Sequence, residues 1–413
     1  MSKLLIIIWI VLTGIFLFRF SITKQAVFGD ALYYWSYARS LYFDHDINLK
    51  NELTHNYSPK TNNSTQEPEG SNVMIPDYLA HHLPIGSGLV WILPMTLADG
   101  IVASANTFHI PLVRNGYSDV YQLVVGASNI LLVIAGLYLL IKMLATVYPK
   151  KIVSLAIILI VFATNLLYYS SIDPINSHPP SFFLSSLFVY LWYTSRENRS
   201  FSRWIILGII VGFLATVRTQ DLALLSLPLL ETILLLRRKA LSLTSAFLSV
   251  ISYVSGFVIG FLPQLTILYI VFGSIMSRYL ASNDAFSFVQ THFLDLMIDP
   301  KIGILYYSPI ILVAIVGLYL RRKKDTIMAS VMLLGLFFQL IVISSYNGWR
   351  QGEAYGIRML ISTFPLLLFG LTEVLEYLSK KISFYPVLII CTLSIINNLQ
   401  AILFFVLLVH NRI

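Results

Sequence analysis

Charge and cysteine are nearly missing from this sequence. Of its 413 residues only 12% are charged, against roughly 25% in soluble domains. So few charges cannot wet the surface of a water-soluble fold of this size, and that class is excluded. The one cysteine, Cys391, lies inside an apolar run. It rules out an intrachain disulfide framework and a thiolate metal cage, and it reads as a small packing residue. A Walker loop and a G-x-G-x-x-G turn are also absent, so nucleotide binding through a glycine-rich cradle has no support. There is no internal repeat and no large soluble domain. Two apparent motifs fail. "DHDINLKNELTH" at 44–55 begins like a calcium loop, but Leu49 stands where glycine is required and His55 where the closing glutamate belongs. "NST" at 63–65 fits an N-glycosylation sequon, which chance often produces in a polar loop.

What the chain has instead is apolar surface: 57% hydrophobic residues and a mean hydropathy of +0.76. Lipid must be the solvent for most of it. Apolar runs lie near 4–20, 118–141, 152–170, 179–195, 203–217, 222–236, 243–272, 304–320, 326–345, 358–378 and 384–408. They predict an all-α polytopic membrane protein, a single domain over 1–413, with about 11 transmembrane helices. The first run has no small-residue cleavage site after it and reads as a retained span. Lys3, Lys142, Lys150, Lys151, Arg196, Arg199, Arg203, the basic runs 237–239 and 321–324, and Lys380 with Lys381 all fall on one side. The positive-inside rule makes that side cytoplasmic, with the N-terminus inside and the C-terminus outside. The formal charge of +8 is then a matter of topology, and no nucleic-acid partner is expected. The outer connections include a long first loop at 21–84 with an interfacial helix, then 273–303 and 346–357. The stretch 84–104 is apolar enough to span, yet a span there would reverse every later loop. It is therefore expected to be re-entrant or interfacial, within a segment ending at 117.

Polar residues that a membrane should exclude mark function, and here they gather at the outer ends of spans. "FGDALYYWSYARSLYFDHD" at 28–46 puts Asp30, Tyr33, Tyr34 and Tyr37 on one helix face. Asp30 is either a helix cap or a general base at the membrane surface. "YNGWRQGEAYGIRML" at 346–360 holds three glycines, Trp349, Glu353, Tyr355 and Arg358 just before a span. A guanidinium at a helix mouth suits phosphate. "ATVRTQDLALLSLP" places Arg218 and Asp221 in a tight turn, either paired with each other or free for a substrate. His81 and His82 end the first loop, and Asp173 and His178 share an outer turn. Imidazoles and carboxylates could hold a divalent metal, but no spacing specifies one.

Taken in order, "FGDALYYWSYARSL", "HHLPIGSGLVWILP", "SHPPSFFLSSLFVYLWY", "ATVRTQDLALLSLP" and "GWRQGEAYGIRMLISTFPLLL" resemble the signatures of GT-C membrane glycosyltransferases. Within that group the chain looks most like bacterial O-antigen-modifying enzymes of the serotype-converting glucosyltransferase type. It departs in lacking a large C-terminal soluble domain and in carrying a lone Asp30 where several relatives have adjacent acids, which leaves a divalent metal open and no cofactor assigned. The resemblance implies a GT-C-like bundle in the bacterial inner membrane with a periplasmic active site. It implies sugar transfer, with inversion, from a polyprenyl-phosphate (undecaprenyl-phosphate) donor to a glycan acceptor such as lipid-linked O-antigen. Asp30 would be the catalytic base, and Arg358, Arg218 and Arg278 would bind the donor phosphate. Tyr33, Tyr34, Tyr37, His81, His82, His178, Asp221, Trp349, Glu353 and Tyr355 would contact the substrate sugars. The rival readings are a transporter or flippase of lipid-linked sugars, which predicts midplane polar residues and repeat symmetry, and a glycan polymerase or ligase.

Overall fold

A chain dissolved in lipid must close its own backbone hydrogen bonds, and the apolar runs do so as helices. The computed structural model describes residues 1–55, 83–197, 199–275, 286–289, 291–352, 354–382 and 384–410. Among these no strand forms, apart from one antiparallel bridge between Phe286 and Tyr346. The helices are α1 (Ser2–Thr23), α2 (Ala31–Arg39), α3 (Lys50–Thr54), α4 (Gly86–Thr107), α5 (Asp119–Leu144), α6 (Lys150–Phe162), α7 (His178–Thr194) and α8 (Phe201–Val217). They continue as α9 (Ser226–Arg237), α10 (Leu243–Phe272), α11 (Phe293–Ile298), α12 (Ile304–Tyr307), α13 (Ile310–Arg321), α14 (Thr326–Ser345), α15 (Phe364–Lys381) and α16 (Phe384–His410). A 3-10 turn leads into α9 (Thr219–Leu225) and another into α15 (Arg358–Thr363).

Among the described residues, 8 helical stretches are long and apolar enough to cross a membrane. Four of the expected spans are shorter: α6 has 13 residues, α7 and α8 have 17 each, and α13 has 12. At about 1.5 Å per residue, α6 alone does not reach across the hydrocarbon. Its chain instead continues through a buried π-helical turn, Tyr168–Ile172. Lipid-facing rows, such as Ile6, Ile7 and Ile10 on α1 or Leu403, Phe404 and Leu407 on α16, stay exposed around the outside.

The stretch expected to be re-entrant or interfacial is one unbroken helix, α4, which continues through Pro94. Nothing within the helix itself turns back. Its partners show where it runs. Trp91 Nε1 donates to Asn129 at 3.0 Å and Tyr121 OH donates to Asp99 at 2.7 Å, so α4 is antiparallel to the first turns of α5. Tyr34 of α2 meets Trp91 edge-on, Tyr37 and Ala38 lie against Gly88, and Tyr42, in the turn after α2, donates its OH to Asp99, so α4 also packs on α2 and that turn. Its start lies against Thr216, at the end of α8. The loop after it is held by Trp35 and Arg39 of α2 through the carbonyls of Gly116 and Asn115. The start of α4 and the loop that follows it are thus both tied to elements at the α2 end of the bundle.

Packing elsewhere relies on small residues that let helix backbones touch. Gly208 and Gly212 of α8 face Gly256 and Gly260 of α10, where an added Cβ would strike the facing carbonyls. Gly317 of α13 and Gly370 of α15 do the same. At the opposite end of the bundle from α2, charged side chains tie helix ends together. Glu373 accepts from Tyr148 OH at 2.7 Å and pairs with Lys324 at 2.6 Å, while Arg199 pairs with Glu231 at 2.9 Å. The α2 end is left to a different chemistry.

Candidate active site

At the α2 end a cavity of about 990 Å³ opens between the helix ends. Its ionisable lining is balanced: Asp30 and Asp173 face Arg218 and Arg358. Each arrives from a different element. Gly29 takes a left-handed conformation (φ 57°), which a side-chain-bearing residue rarely adopts, and so turns the chain from α1 into α2 with Asp30 at the corner. Asp30 occupies the N-cap position of α2, yet its side chain caps no backbone N–H. Its Oδ2 instead accepts from Arg358 Nη2 at 2.7 Å. The cap alternative is therefore set aside by the geometry: the carboxylate faces the cavity and is paired there.

Arg358 begins the 3-10 turn before α15, and its Nη2 also donates to the carbonyl of Gln351 at 3.3 Å. Arg218 ends α8 in an extended conformation and donates to Ser177 Oγ at 2.6 Å, with His178 Nε2 3.3 Å away. Arg218 and Asp221 do not pair through their side chains. Asp221 is fully buried and accepts from Ser181 and Ser362 at 2.6 and 2.7 Å, joining α7 to the turn that carries Arg358. Two hydroxyls satisfy it, which leaves Arg218 to the cavity.

Asp173 follows the α6 chain and accepts from Asn176 at 3.0 Å. Burial raises its pKa to about 7, opposed by that hydrogen bond and by the charges of Arg19 and Arg358. Around this polar floor the wall turns apolar through Phe28, Leu222, Val342, Ile343, Met359 and Phe405. The cavity is amphipathic, charged on one side and greasy on the other.

Of the residues expected at the site, Asp30, Tyr34, Arg218 and Arg358 line the cavity. Burial pushes the Tyr34 phenol up, so it stays a neutral donor. His178 and Asp221 are buried behind Arg218. Tyr33 is half-buried and off the wall. Tyr37 packs with Leu49, Ile85 and Ile267 in a separate cluster. Trp349 stacks on His292, 4.8 Å between ring centres, and Tyr355 stacks on Tyr168 while its OH donates to Asn398 at 2.8 Å. Both aromatics brace the loop rather than face the cavity. His81, His82, Arg278 and Glu353 lie outside the described residues. Sequence reasoning gives no role to Arg19, Tyr168, Tyr169, Asn176 or Gln351. The signal was the polar run "YYSSIDPINS" between two short spans, too wet for the bilayer unless it lines something.

No protein-family model matches this sequence, and no curated protein matches it. A solved structure does match. The crystal structure of the Archaeoglobus fulgidus oligosaccharyltransferase, in complex with Zn and sulfate, aligns with a TM-score of 0.51 at 13% identity. The alignment covers 96% of this chain and 53% of that one, so the chain spans about half the length of that protein. At this identity the likeness shows the fold alone: an all-α bundle of membrane-crossing helices shared with that structure. The neighbour's structure holds Zn. Among the described residues no three His, Cys, Asp or Glu side chains come together. Asp30 is engaged by Arg358 and Asp173 by Asn176. These two described carboxylates are thus committed to nitrogen donors and do not by themselves form a cage for such an ion.

Proposed function

We propose that the chain is an integral membrane glycosyltransferase of the bacterial inner membrane, moving a sugar from a polyprenyl-phosphate donor to a glycan acceptor at the periplasmic face. The observation that carries this reading is the Asp30–Arg358 pair, 2.7 Å apart, on the floor of a cavity whose other wall is apolar. A donor with one phosphate, a sugar and a long hydrocarbon tail has that same division of chemistry. The bundle end rich in paired Lys and Arg is then cytoplasmic. On this orientation α4 lies in the outer interface, with Leu93, Leu97 and Ile101 exposed to lipid. The resemblance in sequence supports a lipid-linked O-antigen as acceptor.

The chemistry follows from charge. The phosphate of the donor competes with Asp30 for Arg358, and a carboxylate that loses its partner is free to act as a base. The acceptor hydroxyl then attacks the anomeric carbon and gives its proton to Asp30. The bond from that carbon to the phosphate oxygen breaks, and the electron pair leaves with polyprenyl phosphate. Arg358 and Arg218 meet the added negative charge, where low dielectric strengthens the interaction. A single displacement of this kind inverts the anomeric centre. Asp173 and Tyr34, both at the cavity wall, offer hydrogen bonds to the sugars.

The phosphate role is tested by Arg358→Ala. Loss of a charge-assisted hydrogen-bond partner should raise the donor KM by about 10- to 100-fold and leave the acceptor KM within about threefold. An unchanged donor KM would remove the phosphate role, and the proposal with it.

A further inference from the structure

The loop that carries Arg358 contains a residue out of keeping with its backbone. Gln351 has φ 57° and precedes Gly352 at φ 67°. A side chain costs free energy in that left-handed region, and such strain persists where the surroundings hold it. The contacts that hold it are visible. Its N–H donates to the Gly348 carbonyl at 2.8 Å, its own carbonyl accepts from Arg358 Nη2 at 3.3 Å, and its Oε1 accepts from Met359 N at 3.2 Å. The amide orientation is thereby fixed. Gln351 is 6% exposed and lines the cavity. Its Nε2, enclosed at the wall, meets no acceptor among the described residues, and neither does Nε of Arg358.

Two enclosed donors on residues bonded to one another lack an acceptor, and each such group costs free energy until one arrives. The geometry points to Gln351 as a donor-binding residue whose side-chain amide shares a phosphate oxygen of the lipid-linked donor with Arg358. A glycine would fit this backbone without strain; the glutamine adds an amide that ties Met359 N through Oε1 and leaves Nε2 at the cavity wall. The inference rests on the polyprenyl-phosphate reading above and narrows it to one residue.

The experiment measures binding of polyprenyl phosphate, and of neutral polyprenol, to the purified full chain in zwitterionic nanodiscs. Gln351→Glu keeps an oxygen for Met359 N but removes the N–H donors. It should weaken polyprenyl-phosphate binding about tenfold or more while polyprenol binds as before. Gln351→Gly should raise the melting temperature by relieving the strain and yet weaken phosphate binding too. Adding phosphatidylglycerol to the discs should leave wild-type binding unchanged; displacement by it would reassign the subsite to bulk lipid headgroups and overturn the inference. Equal polyprenyl-phosphate binding by wild type and both variants would overturn the inference alone. Absence of binding by the wild type would overturn the donor reading and the inference together.

Discussion

Replacing Asp30 with asparagine separates catalysis from stability more cleanly than any other single change. The substitution keeps the volume and leaves an amide oxygen for Arg358, but removes the charge and the proton acceptor. Asp30 packs no core, since its side chain is 35% exposed. An ion pair at that exposure is screened by water and is worth about 1 kcal/mol or less. For a chain of this length that corresponds to a melting shift of about 2 °C or less. A lost general base, by contrast, slows the chemical step by about 10²- to 10⁴-fold. The assay is the initial rate of sugar transfer in proteoliposomes at saturating donor, run beside thermal melting in the same lipid. The expected result is a kcat lower by at least about a hundredfold with melting almost unchanged. Freed from Asp30, Arg358 should hold the donor as well as before or better, so KM for the donor should not rise. A variant with kcat within about threefold of wild type would refute the base assignment, because no other described carboxylate pairs with Arg358 in the cavity.

The other expectations concern residues around that pair. Asp221→Ala leaves the hydroxyls of Ser181 and Ser362 without their acceptor and should cost about 2–5 kcal/mol, read as a large drop in melting temperature and loss of the Arg358 turn. Asp173 titrates at about 7 when folded, above the carboxylate value of about 3.9 expected unfolded. The folded state therefore binds the extra proton between those values, and stability falls as pH rises from about 4 to about 7. Asp173→Asn should flatten that dependence, so the variant gains on wild type toward pH 8; parallel stability curves would count against a buried, near-neutral carboxylate. A reporter inserted near Val113, after α4, should read periplasmic while one at Asp325 reads cytoplasmic. A cytoplasmic reading at Val113 would mean that α4 crosses the membrane.

The apolar runs were legible because lipid dictates them: a stretch such as 243–272 has no other solvent to live in. What hydropathy does not carry is which apolar helix traverses. α4 has the composition of a span, and its bonds to Asn129, Tyr121 and Tyr42 fix which helix turns it packs against, which no hydropathy pattern carries. The site was half legible. Asp30 and Arg358 stand out as charges where a membrane should have none, but their pairing joins opposite ends of the chain and no local pattern encodes it. Asp221 carries the same signal as Asp30 and is spent on two buried serines. Trp349 and Tyr355 look like sugar platforms in a glycine-rich motif, yet they stack on His292 and Tyr168 to stiffen the loop. Gln351 was invisible to a search for charges because its distinction is conformational, a left-handed φ in a residue that is not glycine.

The central claim is that this cavity transfers a sugar. Purified chain in proteoliposomes would be given polyprenyl phosphate carrying a radiolabelled sugar, together with a lipid-linked glycan acceptor. The account predicts label on the glycan, release of polyprenyl phosphate in equal amount, and an inverted linkage at the anomeric carbon. Label that only crosses between leaflets, with the sugar still on its polyprenyl phosphate, would contradict it.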